Sequence, residues 1–555
     1  MAVVAQWYQR ADSNSMKGPQ VLVVGGGIAG LCAAISARRA GARVLLVESA
    51  PRWRRGGNSR HGRNFRFCHD QPSALVPERY QADEFTEDLA RATAGTGDAA
   101  LTRLLIERSR AAPRWLLDSG VALQERNRGT LPFSRKTAFL LGGGQAMVNA
   151  LYAQAERLGV DVRYGCVANR PCLRGNRLAS IELRSSSQSG TSGQSGQSSA
   201  SGLTGQAAES GGVPGRSSLE LPQELVLEPA PEHPPEQAPK LTSETLTPDA
   251  VVLACGGAQG NPDWLRQHCG ERVEGFINRG TPEAHGKLLI ELLAAGAQAV
   301  GDPSRLYLVA VDARSPPADG GIVTRIRGMP QGMVVDRDGL RRHDEGADRG
   351  STRYARWGQR LADYPGQIGY LLLDAAALRE VPAALYPPLV APDLQGLARQ
   401  IGMDAAELER TWLTYNAAMR SSFGDDSLRP DLHSHLELPP HSVFPTDSHR
   451  DLHPDGSTHA PLDPPRTGPA RALDTPPFAA YPMRPGLTFT YHGLAVDARA
   501  RVQLSSGEPI ANLFAAGTLM APNLCPQGYL SGLMLTIGQV FGVLAGEEAA
   551  RHVRG

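Results

Sequence analysis

The sequence predicts an α/β fold in which a nucleotide-binding domain is assembled from discontinuous segments and a second, α+β domain is inserted into it. Three observations predict it. A glycine turn stands between a strand-like run and a helix-like run near the N-terminus. Two further apolar runs closed by glycine, residues 249–257 (DAVVLACGG) and 509–517 (PIANLFAAG), read as buried parallel strands although they lie far apart. The chain of 555 residues also exceeds what one hydrophobic core usually organises.

Taken in order, residues 1–19 form an N-terminal tail without a signal-peptide apolar core. Residues 20–49 read as one β-α-β unit: a strand over 21–24, an amphipathic helix to about residue 40 and a strand over 43–47. Between 185 and 239 the composition turns to Ser/Gly/Gln and then Pro/Glu, a tract too poor in apolar residues to offset its ordering entropy. It separates β-like pieces at 177–184 and 224–228 and so reads as a disordered insertion in a surface hairpin. The expected boundaries are 20–260 for the first part of the nucleotide domain, 261–485 for the inserted domain and 486–555 for the last part. Within the insert, residues 427–469 form a loose loop holding His433, His435, His441, His449 and His453. Their spacing follows no ligand pattern, so a solvated loop is favoured over a metal site.

A formal charge of +1 argues against nucleic acid or an anionic membrane surface as the main partner. No uninterrupted apolar run reaches the roughly 18–20 residues a membrane helix needs, so a cytoplasmic protein without direct membrane insertion is expected. Seven scattered cysteines without a C-x-x-C pair disfavour a disulfide framework, structural zinc or an iron–sulfur cluster.

Gly25-Gly-Gly27-Ile-Ala-Gly30 is a G-x-G-x-x-G between strand and helix, with Glu48 ending the next strand 18 residues after Gly30. Gly25 permits the tight turn, Gly27 lets a pyrophosphate approach the backbone, and Gly30 lets helix and strand pack closely. The helix N-terminus stabilises phosphate charge, and Glu48 accepts from ribose hydroxyls, which favours FAD or NAD over a 2′-phosphorylated cofactor. Downstream, Arg55 to His61 (RGGNSRH) is a donor-rich glycine loop, and Gly528-Tyr529-Leu530-Ser531-Gly532 precedes an apolar helix with Gly538, Gly542 and Gly546. A helix N-terminus there suits the negative charge at the pyrimidine edge of a reduced flavin.

With these segments the chain resembles the flavoprotein subunits of the fumarate reductase/succinate dehydrogenase superfamily, and within it the FAD-dependent tricarballylate dehydrogenases. The resemblance rests on VLVVGGGIAGLCAA, RRGGNSRHGRNFR, GGGQAMVNALYAQAERLGVDVRY, VVLACGGAQGN, GDPSRLYLVAVDARSP, LDTPPFAAYPMRPGLTFTY and GYLSGLMLTIGQVFGVLAG. It implies a Rossmann-like FAD-binding domain, noncovalent FAD, a capping domain over the flavin, and hydride transfer between a substrate carbon and flavin N5. Tricarballylate would yield cis-aconitate. A separate iron–sulfur or haem protein, membrane-bound, would take the electrons.

Position by position, the resemblance assigns Gly25, Gly27, Ile28, Ala29, Gly30, Glu48 and Ser49 to the adenosine-diphosphate side. It assigns Gly57, Asn58, Ser59, Gly532, Leu533 and Met534 to the flavin side. Val167, Gly256, Gly257, Gly517, Thr518 and Ser531 complete the implied cofactor set. Arg353 takes the place of the proton-shuttling arginine of the capping domain, a role for which an arginine needs a dry site and neighbouring charges. Phe489 replaces the family's substrate histidine, with His492 three residues on; Tyr529 replaces a carboxylate-binding arginine; Thr518 replaces a glutamate. These departures argue against fumarate or succinate and make Tyr529 and His492 catalytic candidates. A small polycarboxylate still requires cations, for which Arg63, Arg66, Arg314 and Arg484 are the candidates.

Three other readings stay open: a flavoprotein of precorrin-3B synthesis, a 3-ketosteroid dehydrogenase suggested by the G-Y-x-S-G pattern, and a flavin-binding subunit without turnover.

Overall fold

A computed structural model of the chain describes residues 19–125, 134–186, 241–347, 353–423, 462–468 and 470–555. Residues 1–18 of the tail, the 224–228 strand, nearly all of the Ser/Gly/Pro tract and the five histidines of the 427–469 loop lie outside the described residues.

A six-stranded sheet carries the glycine turn. Its order is β16 (Arg501–Gln503), β17 (Pro509–Ala515), β9 (Ala250–Leu253), β1 (Val21–Val24), β2 (Val44–Glu48), β5 (Asp161–Tyr164), all parallel except edge strand β16. The apolar runs in β1, β9 and β17 thus become neighbouring central strands, and β1 and β9 are buried along their whole length. α1 (Ile28–Arg39) follows the glycine turn directly, and α2 (Gly143–Arg157) packs against it.

The last helix is a core element. A Cβ on Gly542 or Gly546 would collide with the carbonyl of Ala29 or Ala33 on α1, so the i, i+4, i+8 glycines let two backbones touch. Leu533–Arg554 is long and apolar enough to cross a membrane by length and composition, and 83% of its apolar window is buried inside the protein. Counting unbroken apolar residues overlooks it because Thr536, Gln539 and the glycines interrupt the run.

The second sheet is built on β15 (Phe478–Leu494), which pairs with β10 (Ile277–Asn278), β11 (Ala299–Asp312), β13 (Gly369–Leu373) and β14 (Leu389–Ala391), while β12 (Met333–Asp336) extends it beyond β13. The boundary expected at 485 falls inside β15, where Pro485 sits opposite Ala310 in the ladder, so the strand continues without a break across it. A three-stranded antiparallel sheet joins β6 (Cys166–Arg174), β7 (Arg177–Ser186) and β8 (Leu241–Leu246). The return strand is therefore 241–246. A two-stranded ribbon of β3 (Asn64–Arg66) and β4 (Thr137–Phe139) lies near the start of the last helix.

Candidate active site

The glycine turn opens onto a cavity of about 460 Å3, within the range of small-ligand sites. Gly25, Gly27, Ile28, Ala29, Glu48, Ser49 and Val167 contribute to its wall, as do Gly57, Asn58, Ser59, Gly256, Gly517, Thr518, Gly532 and Met534. Gly30, Gly257, Ser531 and Leu533 do not. Gly30 lies behind the wall because a Cβ there would overlap the Gly25 carbonyl, which is the close helix–strand contact the motif predicts. Gly257 is pressed against Thr490 Oγ1, and Leu533 is fully buried. Ser531 is engaged elsewhere: its hydroxyl accepts from Asn64 Nδ2 at 3.3 Å and its carbonyl from Arg66 Nε at 3.1 Å.

Local bonding explains the cradle. Gly25 takes φ +104°, a conformation few side chains tolerate. The Glu48 carboxylate is buried; Oε2 accepts from the Gly26 and Gly56 amides at 3.1 and 3.3 Å, and Oε1 from the Ala50 amide at 3.0 Å. It thus ties the glycine turn to the following loop. Ser59 Oγ accepts from the Ile28 amide at 3.0 Å, capping the first turn of α1. Asn58 Nδ2 donates to the Thr488 carbonyl at 2.6 Å and Oδ1 accepts from the Thr281 amide at 2.8 Å, so this side chain links the loop to the second sheet. At Gly532, φ +81° starts α4 (Leu533–Arg554) at the cavity wall.

One part of the remaining wall is cationic and aromatic, and Glu283 also lines the cavity. Arg63, Arg279 and Arg325 all line the cavity, with Tyr307, Tyr354, Phe489 and Tyr529. Tyr307 stacks between Phe489 at 4.8 Å and Tyr529 at 4.3 Å between ring centroids. Arg325 lies 4.0 Å over the Tyr354 ring. Arg279 is held by the Gly321 carbonyl at 3.4 Å and Thr488 Oγ1 at 3.1 Å. Among the described residues none of the three guanidiniums is paired with a carboxylate, and the Nε atoms of Arg63 and Arg325 are buried without a hydrogen-bond partner. Burial lowers the pKa of Arg63 and of Arg279, and Arg325 adds to the effect on both. Tyr529 is pushed up to about 12, first by burial and then by Tyr354, against the opposing pull of the arginines. Its phenol is therefore a donor at neutral pH.

Several expected site residues are placed elsewhere. Arg66 is buried at 5% exposure and committed to Tyr80 OH at 2.7 Å and Asp88 at 3.3 Å. Arg314 forks onto Asp312 at 2.8 and 2.6 Å. Arg484 donates to the Gly366 and Gly275 carbonyls at 3.0 and 3.3 Å and faces a separate surface groove. His492 is buried beside Trp264, away from the cavity, because β15 carries it past the aromatic wall. Arg353 opens α3 (Arg353–Ala362), one residue before Tyr354; its side chain lies outside the described residues. Of the four cations expected to hold substrate, Arg63 alone is at the cavity, joined by Arg279 and Arg325. The two newcomers stand in unremarkable local sequence, NRGT and TRIRG. Only the pairing of β10 with β15, and of the loop after β11 back onto β11, singles them out.

Residues 20–525 match the family described as FAD binding domain. The chain belongs to that family. The flavoprotein is 24% identical over 96% of its length to a probable fumarate reductase of Shewanella frigidimarina (strain NCIMB 400), covering 75% of that protein. Its fold is that of the open conformation of a flavocytochrome c3 fumarate reductase, with a TM-score of 0.67, 19% identity, and coverage of 99% of this chain and 81% of that one. It is also that of 3-ketosteroid Δ1-dehydrogenase from Sterolibacterium denitrificans, with a TM-score of 0.64, 16% identity, and coverage of 96% and 99%.

The residues present fit FAD. Gly27 lines the cavity at the start of α1, and a Cβ there would crowd Ser59 Oγ at 3.2 Å, so glycine keeps the backbone bare where a pyrophosphate belongs. The Gly27 backbone at the start of α1 would face the pyrophosphate, Glu48 the ribose, and the start of α4 the flavin's pyrimidine edge. Bound there, the flavin supplies an acceptor or donor of hydride.

Proposed function

We propose that this flavoprotein is an FAD-dependent oxidoreductase acting on a CH–CH bond of a small polycarboxylate, with tricarballylate, oxidised to cis-aconitate, as its substrate. The observation that carries the reading is the set of three guanidiniums, Arg63, Arg279 and Arg325, facing one cavity without carboxylate partners among the described residues. Burying cations unpaired is costly, and a ligand bearing several carboxylates removes that cost through charge-assisted hydrogen bonds. The relatives named as fumarate reductases support chemistry at a carbon–carbon bond flanked by carboxylates.

In this reading Arg63, Arg279 and Arg325 orient the substrate carboxylates. Tyr529, protonated at neutral pH, donates a hydrogen bond to a substrate oxygen, and Arg353 takes the proton released from the carbon next to the one that loses hydride. The Phe489–Tyr307–Tyr529 stack walls the reacting end off from water. Electrons then pass to a separate iron–sulfur or haem protein, beside the membrane, with the chain in the cytoplasm. Three guanidiniums without a carboxylate partner among the described residues do not suit an apolar sterol. The tyrosine-rich wall favours one second reading, a ketone-bearing substrate polarised by Tyr529.

The test is an anaerobic titration of the FAD-loaded protein, followed by its visible spectrum. Bleaching by tricarballylate, with succinate and a 3-ketosteroid leaving the flavin oxidised, is the expected result. Bleaching by the ketosteroid alone would replace this reading with the second one.

A further inference from the structure

One carboxylate outside the cavity wall is tied to three cationic or imidazole side chains of the flavin loop. Asp319 accepts from Arg54 Nε at 2.9 Å, from Arg60, and from His61 Nε2 at 2.7 Å. The partners are 258–265 residues away in sequence, on the loop that follows β2, whereas Asp319 belongs to the segment between β11 and β12. Side-chain exposures of 11–25% set this cluster apart from a solvated surface ion pair.

Asp319 is also conformationally committed. It takes φ +69°, outside the range most residues adopt. Its amide donates to the Asn278 and Gly280 carbonyls at 3.0 and 2.9 Å, on either side of Arg279. Two residues on, the Gly321 amide donates to the Arg279 carbonyl at 2.8 Å, and the Gly321 carbonyl receives Arg279 Nε. The segment then turns through Thr324, whose hydroxyl donates to the Gly321 carbonyl at 3.0 Å, to present Arg325. Gly321 itself rests on the His61 ring, where a Cβ would come within 2.5 Å of Nδ1.

We propose that Asp319 is a positioning residue: by fastening segment 318–325 to the flavin loop it sets the placement of Arg279 and Arg325, so that anion binding at the reacting end depends on a carboxylate that stands outside the cavity wall. This rests on the reading of those arginines as the substrate anchors. Asp319, Arg54 and Arg60 stand outside the cavity wall, and of this cluster His61 lines the cavity.

The test compares FAD-loaded parent protein with Asp319→Asn, which keeps the side chain's shape and tolerates the left-handed backbone, and with Arg54→Gln, which weakens the cluster from the other side. Amide exchange, read without any substrate, should quicken about tenfold at 54–62, 277–281 and 318–325 in Asp319→Asn, while β1 and α1 stay unchanged. The tricarballylate Kd from the flavin difference spectrum should rise about tenfold, with turnover at saturation, measured with an artificial acceptor dye, within about twofold of the parent. Arg54→Gln should move both quantities the same way, by less. Exchange equal to the parent's would overturn the fastening. Faster exchange with an unaltered Kd would overturn the positioning role. If the parent protein shows no tricarballylate response at all, the substrate reading fails by itself, and the exchange result still decides the fastening.

Discussion

A guanidinium taken out of water with no carboxylate beside it works against folding, and Arg279 is such a group at 8% exposure. Its retention is explained at the level of the ligand, which it meets with donors the protein leaves free. Arg279→Met should therefore weaken tricarballylate binding by roughly ten- to a hundredfold, the worth of about 1.5–3 kcal/mol for hydrogen bonds to a charged group. The same substitution should leave the melting temperature equal or higher. Parallel titration and thermal unfolding check the two halves, and a drop in both would make Arg279 a structural residue. Arg66 is the contrast. It was an equally reasonable candidate by type, yet Tyr80 and Asp88 already satisfy it.

Among the elements, α4 illustrates how one segment serves packing and site together. Its glycines lie on the face against α1, and its first residues reach the cavity, so moving the helix away from α1 also moves its N-terminus. Gly542→Leu should destabilise the fold by about 1–3 kcal/mol through overpacking and release flavin at lower temperature than the parent. Flavin fluorescence during a thermal ramp reads this directly. Unchanged release would mean that the helices can separate without cost. β15 serves a similar double purpose: Thr488 and Phe489 reach the cavity while Met483 and Pro482 pair with β13 deep in the second sheet.

For the whole molecule, the contact between the two sheets' domains should make stability depend on pH. Burial, followed by the nearby Arg60 and Arg279 guanidiniums, holds His61 down to about 4 from its ordinary 6.5, despite its bond to Asp319. Neutral His61 thus donates Nε2–H to Asp319 at neutral pH. Since the unfolded chain takes up a proton that the folded one refuses, this contribution is complete above about pH 6.5 and is lost as pH falls toward 4, amounting to at most about 3 kcal/mol. Thermal unfolding between pH 7.5 and 4.5 should show the loss, and His61→Gln should flatten that part of the profile. An identical slope in the variant would place the titrating group elsewhere.

The β-α-β unit, the discontinuous central strands and the glycine turn are legible in the sequence. Those features depend on short-range patterns: glycines at fixed spacing, an acidic residue closing a strand, and apolar runs that can only be buried. Gly27, Glu48, Ser59, Thr518, Tyr529 and Met534, singled out by motif and by resemblance, all line one cavity. Which arginines face that cavity depends on long-range packing. A cation's role depends on whether a carboxylate reaches it, and Asp88 and Asp312 occupy Arg66 and Arg314, while Arg279 and Arg325 are left open by strands and loops drawn from distant parts of the chain. His492 was misjudged for a related reason, since its proximity to Phe489 in sequence does not survive the path of β15 past the aromatic wall.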